Sequence, residues 1–217
     1  AYFDLDNDGF AERVAWAKAS DGFLVRDLDG NGSIDNGTEL FGTGQVDLNE
    51  GRDQRFGEEG FVELALLDSN GDGVISAADV EFETLRVWVD ANSDARTDEG
   101  ELRTLAELGI VSITLRTRPS DHFLFDDDSS LVLRSSSVAF DDGSSQRIYD
   151  VYLSIDQYDA REIVDPDLDL DRVADLPNIL GTGTLSDLNV AMTRDPGLEE
   201  LVRELAGLDV AQAGEIH

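Results

Sequence analysis

The chain has no cysteine, which excludes a disulfide framework, a thiolate zinc site and a cysteine nucleophile. Positive charge is scarce: 16 lysine and arginine residues face 48 acidic ones, for a formal charge of -32. A surface of that sign repels nucleic acid and anionic membranes, so neither is expected as a partner. The only histidines, His122 and His217, leave a Ser-His-Asp arrangement little to work with. No run approaches the roughly 18 apolar residues of a membrane span, so no membrane insertion is expected, and the first residues do not form a secretory leader. The glycines of "GTGTLSDLN" lack the lysine or third glycine of a phosphate-binding loop. Nonapeptide glycine-aspartate repeats of the β-roll type are also missing.

What remains is acid, glycine and enough apolar residues, 41% of 217, to bury one sizeable core. The acid is concentrated in short loops. "DSNGDGVISAAD" places oxygen-bearing side chains at its first, third, fifth, ninth and twelfth positions, with glycine at the sixth. That is the spacing of an EF-hand calcium loop. Asp68, Asn70 and Asp72 would supply side-chain oxygens, Val74 its carbonyl, Ser76 a direct or water-mediated contact, and Asp79 the closing carboxylate. Ile75, at the eighth position, is expected to join a partner loop. Phe61, Leu64 and Ala65 before the loop, and Phe82, Leu85, Trp88 and Val89 after it, fall at helical spacing.

A second loop follows directly, "DANSDARTDEGE", with Asp90, Asn92, Asp94, the Arg96 carbonyl, Asp98 and Glu101. It is read as the EF-hand partner of the first. Ala95 stands where glycine is expected and must adopt a backbone conformation unfavourable to it. Leu102, Leu105 and Ala106 suggest a short helix ended by Gly109. Upstream, "DLDGNGSIDNGTE" offers Asp27, Asp29, Asn31, the Ser33 carbonyl and Asp35, with Glu39 one residue late. "DLDNDGFAE" offers Asp4, Asp6, Asp8, the Phe10 carbonyl and Glu12, with Asp21 as a distant completing acid. The alternative for both is a solvated Asp-Gly turn.

The fold expected from these patterns is α+β. A helical pair of EF-hand-like calcium loops spans 57–108, with further acidic calcium loops before it. Strands follow from 110, two of them joined by a hairpin turn at Asp142-Gly143. "DPDLDLDRVADLPN" reads as a linker, and "TLSDLNVAM" and "DPGLEELVRELAGL" read as helices, the second with Asp195 as N-cap and Pro196 in its first turn. Residues 1–156 would form the calcium-binding core, and 157–217 an acidic linker and C-terminal helices packed on the same module.

The ordered motifs "DGFLVRDLDGNGSIDNGTELFG", "LALLDSNGDGVISAADVEFETLRVWVDANSD", "GELRTLAELGI" and, later, "LPNILGTGTLSDLNVAM" resemble the self-processing module of FrpC-like RTX proteins. The resemblance implies a module of a large bacterial protein exported by type I secretion and folded by calcium outside the cell. It also implies calcium-triggered cleavage of an Asp-Pro bond at the start of the module. An aspartate carboxylate would attack its own peptide carbonyl to form a cyclic anhydride, the protonated proline nitrogen would leave, and a lysine amine or water would open the anhydride. The scissile pair is expected before Ala1, so no residue here is matched to it and the catalytic residues are unknown.

Asp165-Pro166 reads as turn chemistry and Asp195-Pro196 as a helix start, and the single lysine, Lys18, as a surface residue. The partners expected are calcium ions and other protein chains or cell-surface proteins, and the location extracellular or cell-surface. Two functions stand side by side: a calcium-assembled self-processing module, and a purely structural or adhesive calcium-rigidified one. An intracellular calcium sensor is disfavoured by the single methionine, because such sensors expose a methionine-rich groove.

Overall fold

The computed structural model describes residues 1–42, 59–119 and 131–207. Both histidines lie outside them. Among the described residues eleven strands and three α-helices follow in order: β1 (Tyr2–Phe3), β2 (Phe10–Val14), β3 (Phe23–Val25), α1 (Glu59–Ala65), β4 (Val74–Ser76), β5 (Arg86–Trp88), β6 (Leu102–Thr104), β7 (Ile110–Thr114), β8 (Arg118–Pro119), β9 (Leu131–Phe140), β10 (Ser145–Tyr152), β11 (Ile155–Glu162), α2 (Leu188–Arg194) and α3 (Pro196–Gly207). Short 3-10 turns occupy Gly37–Glu39, Phe82–Thr84 and Asp171–Val173. The strands form three sheets, ordered β1-β2-β11, β3-β5-β6 and β10-β9-β7-β4, with β8 beside β9.

The chain divides into two compact units: Ala1–Asp8 with Arg13–Asp156, and Gly9–Glu12 with Gln157–His217. The first has two cores. One gathers Phe3, Leu5, Val14, Val25, Ile34, Leu40, Trp88 and Ala95. The other gathers Phe61, Leu64, Ile75, Phe82, Leu85, Leu105 and Ile113. The β3-β5-β6 sheet divides them. Phe23, Trp88 and Leu102 pack on the first core, while Leu24 and Val87 pack on the second, and the antiparallel register sets Phe23 against Trp88, Leu24 against Val87 and Trp88 against Leu102.

This sheet overturns the expected α+β arrangement with an EF-hand helix pair. Among the described residues the architecture is mostly β, and the segment after the Asp68 loop is one 3-10 turn and then a strand. The apolar residues 82, 85, 88 and 89 match a helical period, but Phe82 and Leu85 lie in the second core and Trp88 in the first. Val87 and Trp88 face opposite sides, the period-2 signature of a strand buried on both faces. Neighbours on both edges satisfy the backbone of β5, which a ten-residue helix between two loops would otherwise have to do alone. Leu102 likewise opens a strand, β6, in place of the expected helix. Gly109 ends a turn, at φ 68 with its N–H donating to the Ala106 carbonyl at 3.0 Å.

At the Asp142-Gly143 turn β9 and β10 pair antiparallel, Ala139 facing Ser145. In the second unit Val173, Met192 and Val202 form a small core among the Asp171–Val173 turn, α2 and α3. No helix among the described residues is long and apolar enough to cross a membrane.

Candidate metal centres

Three acidic loops of the first unit share one internal wiring. In the Asp68 loop, Asp68 Oδ1 accepts from the N–H groups of Gly71 at 2.8 Å and Asp72 at 3.2 Å, and its Oδ2 from Gly73 at 2.8 Å. Asn70 Oδ1 accepts from the Asp72 N–H at 2.8 Å and Asp72 Oδ1 from that of Val74 at 2.9 Å. Asp79 closes the loop, Oδ1 accepting from the Ser69 N–H and Oδ2 from the Ser76 N–H, both at 2.9 Å. The Ser76 amide, then that of Ser69, holds the Asp79 carboxyl below the usual range, while its burial opposes them.

The Asp90 loop repeats the pattern. Asp90 accepts from the amides of Asp94 at 3.2 Å and Ala95 at 2.7 Å, Asn92 from Asp94 at 3.1 Å, and Asp94 from Arg96 at 2.9 Å. Glu101 takes the Ala91 and Asp98 amides at 2.8 and 3.0 Å. In the Asp27 loop, Asp27 accepts from Gly30 at 2.8 Å and Gly32 at 2.9 Å, Asp29 from Asn31 at 3.0 Å, and Asn31 from Ser33 at 2.7 Å. Glu39, a residue later than the twelfth position, still takes the second and ninth amides, those of Leu28 at 3.0 Å and Asp35 at 2.8 Å. The Gly37–Glu39 turn absorbs the extra residue, with the Asn36 side chain accepting from the Thr38 N–H. Burial, ahead of the Asp29 and Asp35 charges, pushes the Glu39 carboxyl up despite its two amide bonds.

The backbone agrees with the wiring. Fourth positions have positive φ in every acidic loop, Asn7 at 58, Gly30 at 75, Gly71 at 74 and Ser93 at 58, and so do the sixth, Gly9 at 90, Gly32 at 84, Gly73 at 82 and Ala95 at 60. Only Ala95 carries a side chain at a sixth position, and its methyl is buried in the first core. Ser33, Val74 and Arg96, each expected to give a carbonyl, are the residues whose N–H groups bond the fifth-position side chain.

The Asp4 loop is placed differently. Oxygens of Asp4, Asp6 and Asp8 lie within 4.8 Å of one another, and Asp4 Oδ1 accepts from the Asp8 N–H at 3.1 Å. Phe10 and Glu12 belong to β2 and to the second unit. Asp21, the proposed distant acid, is exposed and accepts from the Ser20 hydroxyl at 3.2 Å. Oxygens of Asp27, Asp29 and Glu39 also cluster within 4.8 Å.

Every donor in these sets is oxygen, the chemistry a hard divalent cation takes; among the described residues the carboxylates of the Asp4 and Asp27 sets converge within 4.8 Å, and those of the Asp68 and Asp90 loops are not gathered so closely. Among the described residues no basic side chain pairs with an acid of the Asp27, Asp68 or Asp90 loops. Instead, amide nitrogens stand between carboxylates: Asn31 Nδ2 donates to Asp29 at 3.0 Å and Asp35 at 2.7 Å, and Asn92 Nδ2 to Asp94 at 3.2 Å and Asp98 at 2.9 Å. Neutral donors leave the repulsion standing, roughly 1–4 kcal/mol for each close pair.

The expected pairing of the Asp68 and Asp90 loops is not what the structure holds. Ile75 joins β4 to β7, facing Ile113. Thr97, the eighth residue of the Asp90 loop, instead accepts through Oγ1 from the N–H of Ile34, the eighth residue of the Asp27 loop, at 2.9 Å. Trp16 Nε1 donates to Asp90 Oδ2 at 2.7 Å. Neither Thr97 nor Trp16 was marked by the motifs; the shared eighth position of the two loops was the only signal of the first.

The sequence model of the SPM domain matches residues 1–154. Over 213 residues, 98% of its length, the chain is 38% identical to the iron-regulated protein FrpA of Neisseria meningitidis serogroup C, and it spans 18% of that protein.

Proposed function

The chain belongs to the SPM domain family, and on that premise we propose that it is a calcium-binding module of a longer, secreted RTX-type protein, folding when calcium fills its acidic loops. The observation that carries this reading is the wiring common to three loops, in which amides aim the carboxylates of Asp27, Asp68 and Asp90 and the closing acids Glu39, Asp79 and Glu101. Calcium fits better than magnesium, because it accepts six to eight oxygens in flexible geometry, whereas magnesium demands a tight octahedron and keeps its waters. A cation bound only by the folded loops stabilises the fold by mass action.

The family likeness extends the proposal to Asp-Pro self-cleavage and isopeptide linkage in the longer protein, with the calcium-ordered loops as the trigger. Neither Asp-Pro pair within the chain suits the reaction. Asp195 Oδ1 accepts from the Gly197 N–H at 2.8 Å and the Leu198 N–H at 3.2 Å, and Asp165 Oδ1 from the Asp167 N–H at 2.8 Å. Both carboxylates are engaged by amides beyond their prolines. A further Asp-Pro pair would be the substrate.

Circular dichroism during calcium titration tests the proposal. A large gain of ordered signal and a raised melting temperature are expected, both reversed by chelation and poorly reproduced by magnesium. A cation-free chain that already melts cooperatively and ignores calcium would overturn it.

A further inference from the structure

Resting on the calcium reading above, we infer that the Asp27 and Asp90 loops act as one cooperative cation pair, while the Asp68 loop binds independently. The strands that enter the two loops, β3 and β5, are neighbours in one sheet, Phe23 facing Trp88. The loops then meet at their eighth residues through the bond from the Ile34 N–H to Thr97 Oγ1, at 2.9 Å. Ile34, from the Asp27 loop, and Ala95, from the Asp90 loop, are buried in the same core, together with Trp88 two residues before Asp90. Trp16 ties that core to the site itself. Its indole N–H donates to the Asp90 oxygen that also accepts the Ala95 amide, and its ring packs edge-on against Trp88 at 5.5 Å.

The Asp68 loop shares none of these contacts. Its eighth residue, Ile75, pairs with Ile113 and lies in the other core. Ordering either member of the Asp27 and Asp90 pair fixes Ile34, Thr97 and the aromatic cluster, so the second cation meets a loop whose conformational freedom is already lost. That is positive coupling through a shared element.

Terbium bound to the full chain, read by tryptophan-sensitised luminescence, reports the Asp90 loop because Trp16 is bonded to Asp90. Asp29→Asn removes a charge from the exposed rim of the Asp27 loop while keeping the oxygen that bonds the Asn31 amide. It is expected to weaken terbium at the Asp90 loop by about fivefold or more, the usual scale of coupling between sites. Asp72→Asn, which likewise removes one exposed charge but at the fifth position of the Asp68 loop, is expected to alter it by less than about twofold, below that scale. Thr97→Val should shrink the Asp29→Asn effect, and Thr97→Ser, which keeps the hydroxyl, should preserve it; the serine variant decides the matter if the valine variant does not fold.

Terbium binding that responds equally to Asp29→Asn and Asp72→Asn, or to neither, overturns the coupling and leaves the calcium reading standing. Coupling unchanged in Thr97→Val assigns it to the charge field and overturns the contact mechanism. Absence of any binding in the unaltered chain overturns both readings.

Discussion

The indole N–H of Trp16 donates to Asp90 Oδ2 at 2.7 Å across 74 residues of chain. Asp90 is 3% exposed and is the first acid of its loop, so an aromatic side chain from a distant segment orients the group that begins the candidate cation shell. Trp16 also contacts Phe3 at 5.3 Å and Phe23 at 4.9 Å, which fixes its ring.

Trp16→Phe keeps the aromatic contacts and deletes the donor. A hydrogen bond to a charged group contributes about 1.5–3 kcal/mol, and a loss of that order is expected in urea unfolding with calcium present. The calcium-dependent change in tryptophan fluorescence should fall with it. Unchanged stability would show that the bond does not hold Asp90.

The same glycine-alanine exchange should act differently in two loops. At Gly73, φ 82 with nothing near a built Cβ, alanine meets left-handed strain and gains no packing, for a loss of about 1 kcal/mol. At Ala95, relief of that strain by glycine is offset by loss of a buried methyl, worth about 0.8 kcal/mol, and by the greater entropy of the unfolded chain. Ala95→Gly is therefore expected to leave stability and calcium affinity within about 1 kcal/mol of the unaltered protein. Relief of strain by itself would tighten the loop. Isothermal titration and urea melts of both variants check it.

The described chain should not cut itself. With calcium at neutral pH, intact-mass spectrometry is expected to show one species, because the Asp165 and Asp195 carboxylates are engaged by amides past their prolines. Calcium-dependent fragments ending at either aspartate, abolished by the matching Asp→Asn change, would make these pairs reactive. A longer chain with its natural preceding residues is the companion sample.

Glu63 sets a pH dependence. Burial raises its carboxyl above the ordinary glutamate value, against the bond its Oε2 accepts from the Gly42 N–H at 2.7 Å. A folded-state value above the unfolded one means that its contribution is complete below the ordinary glutamate range and is lost as pH rises through the raised value. Glu63→Gln is expected to match the unaltered protein in acid and to exceed it at neutral pH. Urea unfolding at both pH values, with calcium in excess, measures the crossover, and an equal difference at both would refute it.

Much of this molecule was legible in local spacing. The acids at the first, third and fifth positions, the Asp142-Gly143 turn and the start of α3 at Pro196 depend on bonds that close within a few residues, so the sequence alone determines them. Tertiary structure decided the rest. Residues 82–89 were ambiguous in period, and pairing of β5 with β3 and β6 made a strand of what reads as a helix, because Val87 and Trp88 could then bury on opposite cores. The late Glu39 reaches its amides only through a turn capped by Asn36, and the partner of the Asp90 loop is the distant Asp27 loop in place of its neighbour in sequence. Choices of that kind belong to segments far apart in the chain, where burial and hydrogen-bond satisfaction settle which of several locally acceptable conformations survives.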